Sequence, residues 1–147
     1  MKGRKRVEVI KIESNEALQK AFAIRKVVFV EEQKVSLEEE FDEFEQVSIH
    51  FLAKIENTPV GAARWRKTDK GYKLERFAVL KEHRGQGVGS ALVEAVLNHI
   101  NTSVASPQGK RYLHAQMEAV PLYAKFGFVA EGEQFMECDI LHQTMVS

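Results

Sequence analysis

The chain has 147 residues, with 21 Lys and Arg against 21 Asp and Glu, so its formal net charge is zero. That length fits a single domain, residues 1–147, whose core needs neither disulfide nor metal, and 44% hydrophobic with 29% charged residues excludes a disordered chain. A balanced charge gives no support to a nucleic-acid binder. The zero is unevenly reached: 1–30 hold eight bases and three acids, while 31–46 hold eight acids and only Lys34.

Taken in chain order, Arg6 to Ile12 alternates and predicts a strand. Ser14 is an N-cap for a helix running to about Gln33, although Val27-Val28-Phe29-Val30 is β-prone and leaves its end open. Ser36 to Glu39 forms a capping box that opens a short second helix in the acidic segment. Val47 to Glu56 alternates, with Val47, Ile49, Phe51, Ala53 and Ile55 on one face. A turn at Asn57-Thr58-Pro59, a strand over Val60–Arg66, a turn at Asp69-Lys70-Gly71 and a strand over Tyr72–Leu80 complete a meander. Arg84-Gly85-Gln86-Gly87-Val88-Gly89-Ser90 then precedes a helix with apolar residues at Val88, Ala91, Leu92, Ala95 and Val96. A loop at 103–110 with Pro107, a strand over Arg111–Gln116 and a helix over Glu118–Phe126 ended by Gly127 follow. The tail predicts one or two strands, around Phe128–Ala130 and Phe135–Met145. The order is that of a mixed α/β (α+β) fold around one sheet.

Cys138 is the only cysteine, so no intrachain disulfide can form, and no Cys/His set has zinc spacing. No metal is expected. No apolar run reaches the roughly 20 residues of a membrane span. Glu8 and Lys11 break the apolar stretch a signal peptide needs. A cytoplasmic protein without membrane partner is expected.

The strand–RGQGVGS–helix junction carries the strongest chemical signal. The first turn of a helix presents unpaired N–H groups and partial positive charge, and glycine lets the backbone approach a bulky anion. A pyrophosphate would sit on the Gly87, Val88 and Gly89 amides, with Arg84 or Ser90 nearby. A tight turn with no ligand is the alternative. The Walker pattern fails for want of a Lys, and the dinucleotide fingerprint fails at Ser90.

Val79-Leu80 followed by Arg84-x-x-Gly87-x-Gly89 resembles the acetyl-CoA motif of the GNAT N-acetyltransferase superfamily. Leu122-Tyr123-Ala124-Lys125-Phe126-Gly127-Phe128 resembles its second signature, at about the expected distance. The stretch from Arg25 to Gln33 and the His142-x-x-Met145 tail are similar to small bacterial members of the YjcF/ElaA type. The resemblance implies a mostly antiparallel central sheet flanked by about four helices. It implies acetyl-CoA as acyl donor and direct transfer to an amine. Phe77, Ala78 and Val79 would meet the pantetheine arm, with the Val79 amide on the thioester carbonyl. Gly85, Gln86 and the rest of the loop through Ser90 would hold the pyrophosphate. Gln116 stands where many relatives carry Asn and would contact the pantetheine. Tyr123 would donate a proton to the departing thiolate, with a core position beside Phe126 and Phe128 as the alternative.

Glu75 is the expected general base, placed by period two on the face of Phe77 and Val79; an ordinary carboxylate paired with Arg64 or Arg66 is the alternative. His50, His114 and His142 are further candidates for a catalytic role, with a structural role expected for each and His142 favoured among them by its YjcF/ElaA-like setting; Cys138 is expected to be an incidental thiol. Glu32, Glu38 or Glu39 would attract a cationic amine unless the acidic segment is a solvated face; Arg64 and Arg76 would instead favour an anionic acceptor. The leading reading is an N-acetyltransferase acting on a small-molecule amine. Protein or peptide acetylation and a silent CoA-binding module are the alternatives. A longer acyl donor and a homodimer both stay open.

Overall fold

The computed structural model describes residues 5–103 and 109–147. The start of the basic N-terminal run, 1–4, and the middle of the expected loop, 104–108 with Pro107, lie outside the described residues. Eight strands form one sheet in the order β1-β2-β3-β4-β5-β8-β6, with β7 paired to β8. Their ranges are β1 Val7–Lys11, β2 Ile49–Ile55, β3 Thr58–Thr68, β4 Gly71–Val79, β5 Arg111–Gln116, β6 Val129–Ala130, β7 Phe135–Glu137 and β8 Ile140–Val146. The helices are α1 Asn15–Arg25, α2 Leu37–Glu40, α3 Val88–Ser103 and α4 Val120–Ala124. This is the expected mixed, mostly antiparallel architecture.

Ser14 caps α1, its Oγ accepting from the Ala17 amide at 3.1 Å, and Ser36 caps α2 through the Glu39 amide at 3.2 Å. The first helix does not run regularly to Gln33. From Lys26 to Glu32 it widens into a π-helix, the stretch where β-branched Val27, Val28 and Val30 crowd the ordinary helical turn. The turn after β2 is Glu56-Asn57, both with positive φ, so β3 begins at Thr58. Val47 lies outside β2 and is exposed. The tail run from Phe135 is split by a second such turn at Cys138-Asp139 into β7 and β8. The buried stripe of α3 is Val88, Leu92, Val93, Val96 and Ile100, rotated slightly from the expected one.

Both faces of the sheet are covered. On one, α3 and α4 pack on Phe51, Ala53, Ala63, Trp65, Leu74 and Leu113. On the other, α1 packs Ala21 and Ile24 on Leu52, Ala62 and Ala78. Among the described residues only the pair β4–β5 is parallel, and it keeps register at Tyr72↔Arg111, Lys73↔Tyr112 and Leu74↔Leu113 alone. Beyond these positions the two strands part, and a cleft opens in the middle of the sheet.

The acidic segment is in part a solvated face, with Glu31, Glu32, Glu38, Glu39 and Glu43 exposed, and in part an inward network through Glu40, Asp42 and Glu45. It folds over two buried arginines, Arg25 and Arg64, which are 1% and 0% exposed. Arg25 bonds Glu40 at 2.8 Å and grips both Glu45 oxygens at 2.8 and 2.7 Å. Arg64 meets Asp42 at 3.0 and 2.8 Å, Glu45 at 2.8 Å and Glu75 at 2.8 Å. Burial alone would raise the Asp42 carboxyl, but its bonds to Arg64 outweigh this and hold it at about 2. Glu75 is likewise held at about 2, burial being outweighed by the charge of Arg64 and by Arg66 and Lys73.

Arg64→Met would take one buried cation from three carboxylates, Asp42, Glu45 and Glu75, and leave an apolar side chain in its place. It is expected to cost about 3–5 kcal/mol in urea unfolding; a loss below about 1 kcal/mol would contradict the buried network. Folding lowers the Asp42 and Glu75 carboxyls from 3.8 and 4.5 to about 2. Their stabilisation is therefore complete above about pH 4.5 and is lost as pH falls toward 2. Urea midpoints should drop across that window, and Glu75→Gln should flatten the drop; an unchanged acid slope in the variant would contradict the assignment.

Candidate active site

The two sides of the cleft differ in character. On the α3 side, Gly85 and Gly87 take φ of +78° and +86°, values that only glycine adopts freely. Gly87 caps α3, its carbonyl accepting from the Ala91 amide at 3.0 Å. The first turn, Val88-Gly89-Ser90, has N–H groups without intrahelical partners, and Val88 lies against Gly61 of β3. A Cβ on Gly89 would stand 3.2 Å from Leu122, which fixes α4 and its Tyr123 against the start of α3. The Lys125 ammonium lies 3.4 Å from Ser90 Oγ, putting a cation beside that turn.

Strand β4 contributes backbone. The Leu80 amide donates to the Val60 carbonyl at 2.9 Å, and Val79 faces Gly61 as a pair without direct hydrogen bonds. Alternation therefore turns the Phe77 and Val79 N–H groups away from β3, toward the cleft, while Ala78 points its side chain at α1. Tyr123 is buried, with its ring edge-on to Phe77 at 5.7 Å and to Phe128 at 6.3 Å. Burial pushes its phenol well above the ordinary tyrosine range, so it stays protonated. It is at once the core aromatic and a cleft-lining donor.

Three expectations need correction. Glu75 does not share a face with Phe77 and Val79. A bulge between Ala62 and Arg64 on β3 and Glu75 and Ala78 on β4 breaks the period of two. Arg76 sits in it at φ +61°, held by bonds to the Glu40 carbonyl at 3.2 Å and Asp42 at 3.0 Å. Glu75 thus lies on the α1 side, bound by Arg64, Arg66 and Lys73. A carboxylate so paired, with its pKa held at about 2, cannot draw a proton from an ammonium near neutral pH. Arg84 is not a free anion ligand: its Nε donates to the Val79 carbonyl at 3.0 Å and both terminal nitrogens grip Glu32 at 2.7 Å. Gln116 is committed to Gln33 in a reciprocal amide pair at 2.8 and 3.3 Å.

These pairings also remove Glu32 as an amine attractor and Arg64 as an anion anchor. Glu39 accepts from Ser36 and from the Cys138 thiol, which burial and that bond push up to about 11. His50 is structural, bonded to the Glu45 carbonyl at 2.8 Å, and burial lowers its pKa.

On the α1 side the cleft widens into a pocket. Its walls are Phe29 and Gln33 from the end of the first helix, Glu39 from α2, and Glu137, Cys138 and His142 from the β7–β8 hairpin. Glu137 and Lys125 escaped the sequence reading. Lys125 stood inside a quoted motif; Glu137 had no signal until the hairpin brought it to His114.

The Acetyltransferase (GNAT) domain model matches residues 11–147. The chain belongs to the GNAT acetyltransferase family. An uncharacterized N-acetyltransferase, YjcF of Bacillus subtilis strain 168, is 42% identical over 134 residues, covering 90% of this chain and 94% of YjcF. The crystal structure of Escherichia coli ElaA superposes with a TM-score of 0.84 at 25% identity, covering 96% and 99% of the two chains. A GNAT acetyltransferase of Elizabethkingia anophelis, solved with acetyl-CoA bound, shares the fold with a TM-score of 0.67 at 15% identity over 95% and 94%. Among the described residues of this GNAT enzyme, no helix is long and apolar enough to cross a membrane.

If Lys125 is the cation of the phosphate turn, Lys125→Ala should weaken CoA binding about tenfold by calorimetry. S-acetylpantetheine, which lacks the pyrophosphate, should bind both proteins equally. Equal CoA affinity in the variant would contradict the placement.

Proposed function

We propose that this enzyme transfers an acetyl group from acetyl-CoA directly to a primary amine of a small molecule, working in the cytoplasm. The observation that carries this reading is the cleft between β4 and β5. Phe77 and Tyr123 line it together with polar residues of the α1 side, and the glycine turn of α3 adjoins it where Gly89 packs on Leu122 beside Tyr123. The residues fit an acetyl-CoA donor. Val88, Gly89 and Ser90 would hold the pyrophosphate, Phe77 and Val79 the pantetheine, and the Val79 N–H would polarise the thioester carbonyl. The bound donor would supply the activated acetyl group. Tyr123 would supply the proton for the departing thiolate.

The family places the chain among acetyltransferases, and the acetyl-CoA seen in the Elizabethkingia anophelis enzyme supports the choice of donor. The preference for a small acceptor comes from the rim. The Gln33–Gln116 amide pair and the Glu39–Cys138 bond stand in the pocket lining, which supports a small acceptor over an extended peptide.

A free-thiol assay over primary alkylamines, amino acids and polyamines tests the activity: CoA release with at least one amine is expected. Tyr123→Phe should cut kcat about ten- to a hundredfold with CoA affinity unchanged. Turnover within about twofold of wild type would remove Tyr123 from the reaction. No CoA release with any amine, despite acetyl-CoA binding, would favour a silent binding module.

A further inference from the structure

Three polar side chains on the acceptor side play no part in holding the donor: His114 on β5, Glu137 on β7 and His142 on β8. His114 Nδ1 lies 3.2 Å from Glu137 Oε1, and His142 Nε2 lies 3.8 Å from Glu137 Oε2. One carboxylate therefore stands between two imidazoles. All three line the pocket that Tyr123 also lines. The His142 side chain is only 7% exposed and stacks on Phe135 at 5.9 Å between ring centres.

The neighbours of His142 locate its proton. Nδ1 is 2.6 Å from the Ile140 carbonyl oxygen. A carbonyl only accepts, so Nδ1 donates, and the neutral ring keeps its lone pair on Nε2. Glu137 is ionised, because the hydrogen bond from His114 outweighs its burial and lowers its carboxyl. A proton arriving at Nε2 creates an ion pair with that carboxylate.

We infer that His142 Nε2 is the general base that takes the proton from the acceptor ammonium, with Glu137 holding the resulting imidazolium and His114 positioning Glu137. The acceptor class follows: an alkylamine that is protonated at neutral pH and needs a base before it can attack. The ammonium gives one proton to Nε2, which frees the nitrogen lone pair. The C–N bond forms at the acetyl carbon as the C–S bond breaks. Tyr123 protonates the departing sulfur and is itself replenished by the second nitrogen proton. His142 then releases its proton to solvent, the one proton the net reaction sets free. The other ionisable groups facing this pocket are Lys73 of β4, bound to Glu75 at 3.3 Å, Arg76 of β4, pinned by Asp42, the paired Glu40 and Glu75, and Glu39 with Cys138.

This assignment rests on the acetyl-transfer reading, and its test has an arm that needs no acceptor. Nitrogen NMR of the His142 ring should show the Nδ1–H tautomer in the neutral form. In Glu137→Gln the Nε2 resonance should move while the Nδ1–H tautomer is kept. An Nε2–H tautomer, or an Nε2 resonance that does not move, overturns the inference whatever the enzyme acetylates. In the kinetic arm, His142→Asn keeps a donor for the Ile140 carbonyl but has no base. Its kcat/KM should fall about a hundredfold for an alkylamine at neutral pH. For hydroxylamine, already neutral there, the loss should stay below about threefold. Equal losses for both nucleophiles would make His142 structural only. Silence of the wild type toward every amine would count against the acetyl-transfer reading, while the tautomer and the Nε2 resonance still decide the role of Glu137.

Discussion

Beyond Leu74 and Leu113 the facing backbone groups of β4 and β5 have no ladder partner in each other. Unpaired N–H and C=O groups in the middle of a sheet must be met by something else. One carbonyl, that of Val79, is met by Arg84. The Phe77 and Val79 amides are left turned toward the cleft, beside the first turn of α3. The parting of one parallel pair thus makes a polar groove through an otherwise closed core, with the proposed donor side toward α3 and the proposed acceptor side toward α1. Tyr123, packed edge-on to Phe77, sits where the two meet.

The charged network keeps the cleft in shape. A neutral total conceals two arginines that are almost wholly buried and four carboxylates, Glu40, Asp42, Glu45 and Glu75, that neutralise them. Such a network contributes less to stability than its bonds suggest, because desolvation opposes it, yet losing one member is costly. Its effect here is positional. It ties α1, α2 and the segment after α2 to β3 and β4, and it clamps Arg76 in the bulge that moves Glu75 away from Phe77. Glu32 and Gln33, adjacent at the end of the π-helix, reach the two sides of the cleft through Arg84 and Gln116.

Much of this was legible in the chain. The Arg84–Ser90 and Tyr123–Phe128 motifs, the Ser14 and Ser36 caps and the meander carry their reasons locally, in glycines, hydroxyls and alternation. What was hidden depends on distant partners. The bulge at Arg76 needs Glu40 and Asp42, thirty-six and thirty-four residues earlier, so period two alone misplaced Glu75. Glu40, Asp42 and Glu45 read as surface with the rest of the acidic run because nothing in it announces the buried Arg64. Cys138-Asp139 lacks the glycine that usually marks a tight hairpin, so β7 and β8 merged and Glu137 stayed out of view.

The central claim is that acetyl-CoA occupies the cleft by pairing with β4 and seating its pyrophosphate on α3. Amide NMR of the wild-type protein titrated with CoA tests it most directly. The account predicts that the largest shifts fall on Phe77, Val79 and Gly87 to Ser90, with the β1 and β2 amides unmoved. Saturable binding that leaves Val79 and the first turn of α3 unperturbed would contradict it.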